Sequence, residues 1–365
     1  MIFLFKKIDI LIIMQKISDK HINYIYHLAD IHIRPLSRHD EYRHVFNNLY
    51  KILQNEKNIK ESLIVICGDI IHEKDKITPE LILLLREFLK NLSNITDVIL
   101  FSGNHDLIEN NLERVPNLEA LTQDIPNINY LKYSGVYEFE NIVISLNSLE
   151  DNLGFVSIPQ EVNKIKIGLY HGMLKEIAFS NGLLSVDDFK EFDYTLLGDV
   201  HERQFLKDNI AYCGSLIQQN FGEDIDNHGL IKWDLINKTP ECIDIQNDYG
   251  YITIRDIDNI RDSSNPISYP KNCRLRINLT NNDDIQKVQE IVATKTNIIS
   301  EKIIKFKNAL QKITYDEQFV KNINDEIIIK DKMTGQSEEK IHDILKLHNE
   351  IKDECDFNTK DISEY

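Results

Sequence analysis

Six short apolar runs punctuate the first 200 residues: "NYIYHLAD" (23–30), "SLIVICGD" (62–69), "DVILFSGN" (97–104), "NIVISLNS" (141–148), "KIKIGLYHG" (164–172) and "DYTLLGDV" (193–200). Runs of this length, rich in β-branched residues and closed by turn residues, predict buried strands. Between the first three lie two segments of helical period, "EYRHVFNNLYKIL" (41–53) and "TPELILLLREFLKNL" (78–92). The second opens with Thr78 as N-cap and Pro79 at the first helical position. Strands alternating with helices predict an α/β fold. Beyond about residue 190 the pattern is strand-rich: "NIAYCGS", "HGLIKWDL" and "ECIDIQN". Near Tyr249 the character changes. "YGYITIRDI" and "NCRLRINLT" predict strands and "NDDIQKVQEIVA" a helix, so a second, smaller α+β domain is expected there. No internal repeat or low-complexity tract interrupts the chain.

The strand ends carry the chemistry. Asp30 and His32 close the first run, and Asp69 the second, with His72 three residues on. Asn104 and His105 close the third, His171 the fifth, and Asp199 and His201 the sixth. In open α/β sheets ligands gather at the carboxyl ends of strands. Residues i and i+2 of an extended segment share a side, which predicts that Asp30 pairs with His32 and Asp199 with His201. Gly68, Gly103 and Gly198 stand where the chain must turn close to the site. A single histidine at a strand end is usually a hydrogen-bonded structural residue, and one Gly-Asp pair carries no signal. Five such elements in one order are another matter, because a buried Asn-His-Asp run is costly without partners. The donors are oxygen and nitrogen with no thiolate, a set that suits Mn²⁺, Fe or Zn²⁺. A carboxylate can bridge two ions about 3.5–4 Å apart, the clamp for in-line displacement at phosphorus. That role falls most naturally to Asp69.

Composition narrows the setting. With 365 residues, 42% hydrophobic and 28% charged, the chain has the make-up of an ordinary globular protein of one large or two modest domains. Five cysteines without a CxxC pair argue against a zinc ribbon or disulfide framework and fit a reducing, intracellular compartment, cytoplasmic or nuclear. The apolar start (1–13) holds Lys6, Lys7 and Asp9, is too short to span a bilayer and lacks a small-residue cleavage site, so no membrane partner is expected. The net charge of −17 does not favour nucleic acid, which wants a basic surface. It is uneven, however: from Asp316 onward 14 Asp/Glu face 7 Lys/Arg, so −7 belongs to the tail and −10 to the rest.

The set DxH, GDxxH, GNHD, a mid-chain His after a strand and a final GxxH resembles the calcineurin-like metallophosphoesterases over about residues 23–247. The resemblance implies a β-sandwich flanked by helices and two divalent metal ions, manganese being the expected metal. It implies Asp30, His32, Asp69 and His201 at the first ion, and Asp69, Asn104, His171 and Asp199 at the second. It further implies that His105 is the catalytic histidine, and that His72 orients the substrate phosphate as in the nuclease branch. Position 199 departs from the family pattern, which reads GHxH. Asp199 is either an exchanged oxygen ligand, adding a third carboxylate, or a hydrogen-bond partner of His171.

Two details select a branch. Ser/Thr phosphatases read GDxVDRG and GNHE, whereas "GDIIHEK" lacks that arginine and "GNHD" ends in Asp. "IAYCGSLIQQNFGED" followed by "HGLIKWDL" is similar to the segment after the last metal motif in SbcD-type nucleases of double-strand-break repair. The resulting expectation is an extension (1–22), a catalytic domain (23–247), a capping domain (248–330) and a helical acidic tail (331–365). The function implied is a two-metal exonuclease or endonuclease acting on DNA. The alternative is a phosphoesterase of the same fold acting on small phosphodiesters or phosphoproteins. A non-catalytic subunit for a partner ATPase is a third reading, opposed by the intact ligand positions. In the tail, Ile341, Ile344, Leu345, His348 and Ile351 fall on one helical face. By resemblance that face docks an SMC-like ABC ATPase, against packing on its own domain; a homodimer is a further option.

Overall fold

The computed structural model describes residues 14–107, 114–151, 153–178, 183–254, 270–279 and 298–305, all within one compact unit that ends at Lys305. A six-stranded sheet is ordered β13-β12-β2-β3-β4-β5. It comprises β2 (Tyr24–Leu28), β3 (Ser62–Cys67), β4 (Asp97–Phe101), β5 (Ile128–Tyr130), β12 (Gly229–Asp234) and β13 (Thr239–Asp244). A seven-stranded sheet is ordered β1-β6-β7-β8-β9-β11-β10. Its strands are β1 (Met14–Lys16), β6 (Gly135–Glu138), β7 (Ile142–Asn147), β8 (Ile165–His171), β9 (Tyr194–Gly198), β10 (Gln204–Lys207) and β11 (Ile210–Tyr212).

Strand β3 shows why the layers form. All six of its residues are buried, so both faces need cover. Leu63, Val65 and Cys67 join a core with Ile144, Leu169 and Leu196 of the facing sheet. Ile64 and Ile66 point the other way, onto helices α1 (His39–Asn55) and α2 (Pro79–Ile95) through Phe46, Leu49, Leu85 and Phe88. The alternation is the ordinary period of two. The architecture is therefore a mixed α/β sandwich with flanking helices, as the sequence predicts. The α2 start is also as read: the Thr78 side chain accepts from Leu81 N, and Pro79 opens the helix.

Strands β2, β3, β4 and β5 are mutually parallel, as are β7, β8 and β9. Within each group the carboxyl ends therefore share one edge. Strands β14 (Tyr249–Ile254), β15 (Asn272–Leu279) and β16 (Ile298–Lys305) form a separate three-stranded parallel sheet where the smaller domain is expected. The helix expected at 282–293 and the tail from 331 lie outside the described residues. Part of the expected extension is built into the fold: β1 pairs with β6, and Ile22 is fully buried. Among the described residues no helix is long and apolar enough to cross a membrane.

Candidate metal centre

The five strand ends meet at one place, by a local route that differs from the expected one. Asp30 and His32 are not extended. Their φ angles are 52° and 50°, and Asp69 and Asp199 follow at 52° and 98°. Asp and His are among the non-glycine residues that best tolerate this left-handed region, yet each such residue costs on the order of 1 kcal/mol or more. The turns are held by backbone hydrogen bonds, Asp30 N to Gly68 O (3.1 Å) and His32 N to Asp69 O (2.9 Å). Convergence thus comes from paired left-handed turns rather than from strand alternation. Gly68 is needed twice over: its φ is +80°, and a Cβ there would collide with the His171 ring.

The seven residues singled out at the strand ends as ligand candidates come together. His32 Nε2 lies 3.0 Å from His201 Nε2 and 3.5 Å from Asp69 Oδ2. His171 Nε2 lies 3.0 Å from Asn104 Oδ1, 3.4 Å from Asp69 Oδ1 and 3.7 Å from Asp199 Oδ1. Asp69 therefore turns one oxygen toward each imidazole set, which is the placement a bridging carboxylate needs. Asp30, fully buried, groups with His32 and His201 on one side and with Asp69 and His171 on the other. At 3.7 Å, Asp199 is beyond a direct hydrogen bond to His171. Its backbone N–H instead donates to both oxygens of Asp30.

The donor chemistry fits cations. His171 Nδ1 reaches the Cys67 carbonyl at 2.8 Å, so that nitrogen carries the proton. In the neutral ring Nε2 then has only a lone pair, facing three oxygen acceptors. Such a cluster is satisfied by a positive charge. Burial opposes that charge on the ring, but the hydrogen bond and charge of Asp69 outweigh it and push the His171 pKa up to about 10. A proton there stands in for a metal. Burial, with the neighbouring Asp69 charge, pushes Asp30 up to about 7, and burial also raises Asp199. Asp69 is held down at about 2, because His171 and His32 outweigh its burial. Three carboxylates and three imidazoles without thiolate match hard to intermediate divalent ions.

His72 and His105 form the rim. Their rings stack at 5.7 Å between centroids, and His105 Nδ1 donates to the His72 carbonyl at 2.8 Å, with no hydrogen-bond partner for Nε2 among the described residues. His105 N donates to Asp69 Oδ1 (2.8 Å), which fixes the turn that carries it. Burial, with Arg34 and His105 nearby, lowers His72 to about 4, so its ring is neutral at pH 7.

Two residues that support the site were not singled out by sequence reasoning. Asp106, fourth in GNHD, is buried and accepts from Gly103 N, Ile70 N and Ile71 N, buckling the second and third strand ends together. Its place beside the Asn-His pair was a usable signal. Glu223 accepts from His201 Nδ1 at 2.8 Å, and a separation of 22 residues gave no sign of it.

A solved crystal structure aligns with 61% of the chain and 99% of its own length, at 9% identity and a TM-score of 0.40. An uncharacterized protein of Acanthamoeba polyphaga mimivirus is 37% identical over 371 aligned residues, which take in 94% of this chain. The chain spans about a quarter of that relative's length, 27%. The model of the calcineurin-like phosphoesterase family matches residues 24–266, the span that contains every strand end of the centre. The chain belongs to the calcineurin-like phosphoesterase family.

Proposed function

We propose that this metal-dependent phosphoesterase is a two-metal phosphodiesterase that cuts DNA, akin to the SbcD-type repair nucleases. The observation that carries the reading is the rim. A phosphomonoester dianion is best held by the bidentate fork of an arginine. The second strand end offers His72 instead, neutral at pH 7 and stacked on His105. Of the two arginines near His72, Arg38 is committed to Glu41 at 2.9 Å through two of its nitrogens, and Arg34 reaches the Gln219 carbonyl at 3.4 Å. A neutral imidazole at the rim suits the single charge of a phosphodiester. The additional sheet β14–β16, following the catalytic sandwich as a capping element would, supports the same branch.

In this reading two bound divalent ions supply Lewis-acid activation of water and stabilise charge at phosphorus. Asp30, His32, Asp69 and His201 hold one, and Asp69, Asn104, His171 and Asp199 the other. His105 stabilises the charge that develops on the reacting phosphate or protonates the leaving oxygen, and His72 orients the phosphate. Imidazole donors favour manganese over magnesium. An SMC-like ABC ATPase that docks on the tail and a second copy of the chain complete the proposal for partners.

The net charge of −17 favours the second reading, a small-phosphodiester or phosphoprotein substrate. The test is a panel of labelled single- and double-stranded DNAs, a generic phosphodiester and a phosphomonoester, with Mn²⁺ and with chelator. Mn²⁺-dependent cleavage of DNA is expected. Hydrolysis of the small esters with no action on any DNA would overturn the nuclease reading.

A further inference from the structure

The segment "GSLIQQNFGED" packs beside the metal centre, and no role in the reaction above accounts for its polar residues. The two glutamines in it are each only 3% exposed. Glu223 is fully engaged: Oε1 accepts from His201 Nδ1 (2.8 Å) and Asn220 Nδ2 (2.7 Å), and Oε2 accepts from Gln219 N (2.6 Å). A carboxylate only accepts, so the proton of the neutral His201 ring sits on Nδ1 and the lone pair on Nε2, aimed at His32 Nε2 3.0 Å away. One step further out, Gln218 Nε2 donates to the Glu223 carbonyl (2.8 Å) and to Tyr251 O (3.1 Å), while its Oε1 accepts from Tyr251 N (2.7 Å). Tyr251 lies on β14. A continuous hydrogen-bonded path therefore runs from the three-stranded sheet to a metal-facing imidazole.

We propose that Glu223 is the positioning residue that fixes the tautomer and ring plane of His201, and that Gln218 anchors this arrangement to β14. The inference rests on the metal-centre reading. Carboxylates that hold the outer nitrogen of a ligating histidine typically change metal affinity by about 10- to 100-fold. His201 and Asp30 belong to the first of the two ion positions, so the effect falls on one ion of the pair.

The experiment is Mn²⁺ titration calorimetry on the full chain and on Glu223→Ala, Glu223→Gln and Gln218→Ala. It is read beside long-range ¹⁵N NMR of the His201 ring in the metal-free proteins. Wild type is expected to bind two ions, with Nδ1 of His201 protonated. Glu223→Ala should weaken one ion by about 10- to 100-fold, spare the other and mix the tautomers. Glu223→Gln, which keeps an acceptor, should retain most of the affinity and the tautomer. Gln218→Ala should shift the same ion in the same direction by a smaller factor. Wild type that binds no metal would overturn the metal-centre reading itself. Wild type with two ions beside a Glu223→Ala of equal affinity and unchanged tautomer would overturn this inference alone. A Gln218→Ala indistinguishable from wild type would remove the link to β14.

Discussion

Asp69→Asn gives the sharpest test of the metal centre, because the change removes a charge and almost nothing else. The two side chains have the same shape, and an amide oxygen still accepts from His105 N, as Oδ1 does now at 2.8 Å. The fold should therefore persist. The magnitude can be worked from the imidazole that Asp69 faces at 3.4 Å. His171 is held at about 10 against an ordinary 6.5, a gap worth about 5 kcal/mol. That is net of a burial penalty and is shared with Asp30 and the Cys67 carbonyl. Assigning Asp69 half gives roughly 2–3 kcal/mol toward one positive charge and about 4–6 kcal/mol toward a dication, on the order of 10³- to 10⁴-fold in affinity. Asp69 faces both imidazole sets, so both ions should weaken. Metal analysis after dialysis and Mn²⁺ calorimetry read the effect, and circular dichroism checks the fold. A folded Asp69→Asn that keeps two ions near wild-type affinity, or an active wild type with a single ion, would refute the bridging placement.

Three further outcomes are expected. His105→Ala should lose about 10²- to 10⁴-fold in turnover with both metals still bound, measured by kcat alongside metal content; a near-normal rate would make His105 structural. Asp199→His should keep both ions and activity if position 199 supplies a ligand, since φ there is positive, at 98°, and Asp and His are both among the non-glycine residues enriched at positive φ. A variant worse than Asp199→Ala in metal content would exclude ligation there. Glu150, which accepts from Ser102 Oγ at 2.9 Å and from Tyr130, is pushed up to about 7 by burial. A carboxyl whose pKa is higher folded than unfolded penalises the fold once ionised. The penalty grows between pH 4.5 and 7 and is constant above. Glu150→Gln should thus be more stable than wild type at pH 8, on the order of 1 kcal/mol after solvent screening, and lose the advantage by pH 5. Thermal melts at both values decide it, and a lower Tm for the variant at pH 8 would contradict the sign.

What could be read in the chain before its structure follows from how each element is stabilised. Strands β2, β3, β4, β8 and β9 lie largely inside the sandwich, and burial on both faces demands the continuous apolar runs that mark them in sequence. Strands β1, β5, β6 and β10 span three or four residues each and draw their order from a neighbour's hydrogen bonds, which composition does not record. The site divides the same way. The residue types at the strand ends were legible because buried Asp, Asn and His are costly unless something satisfies them. Their backbone was not, because the left-handed turns at Asp30, His32 and Asp69 are imposed by adjacent strands through contacts such as His32 N to Asp69 O. Glu223 is the far case, a carboxylate that meets His201 across a loop with nothing in the local sequence to announce the contact. Asp199 joins the two levels. Its side chain faces His171 at 3.7 Å while its backbone N–H donates to Asp30. The backbone contact is made by the main chain, so Asp199→His would keep it while replacing a carboxylate oxygen with an imidazole nitrogen and removing one negative charge beside Asp30 and Asp69.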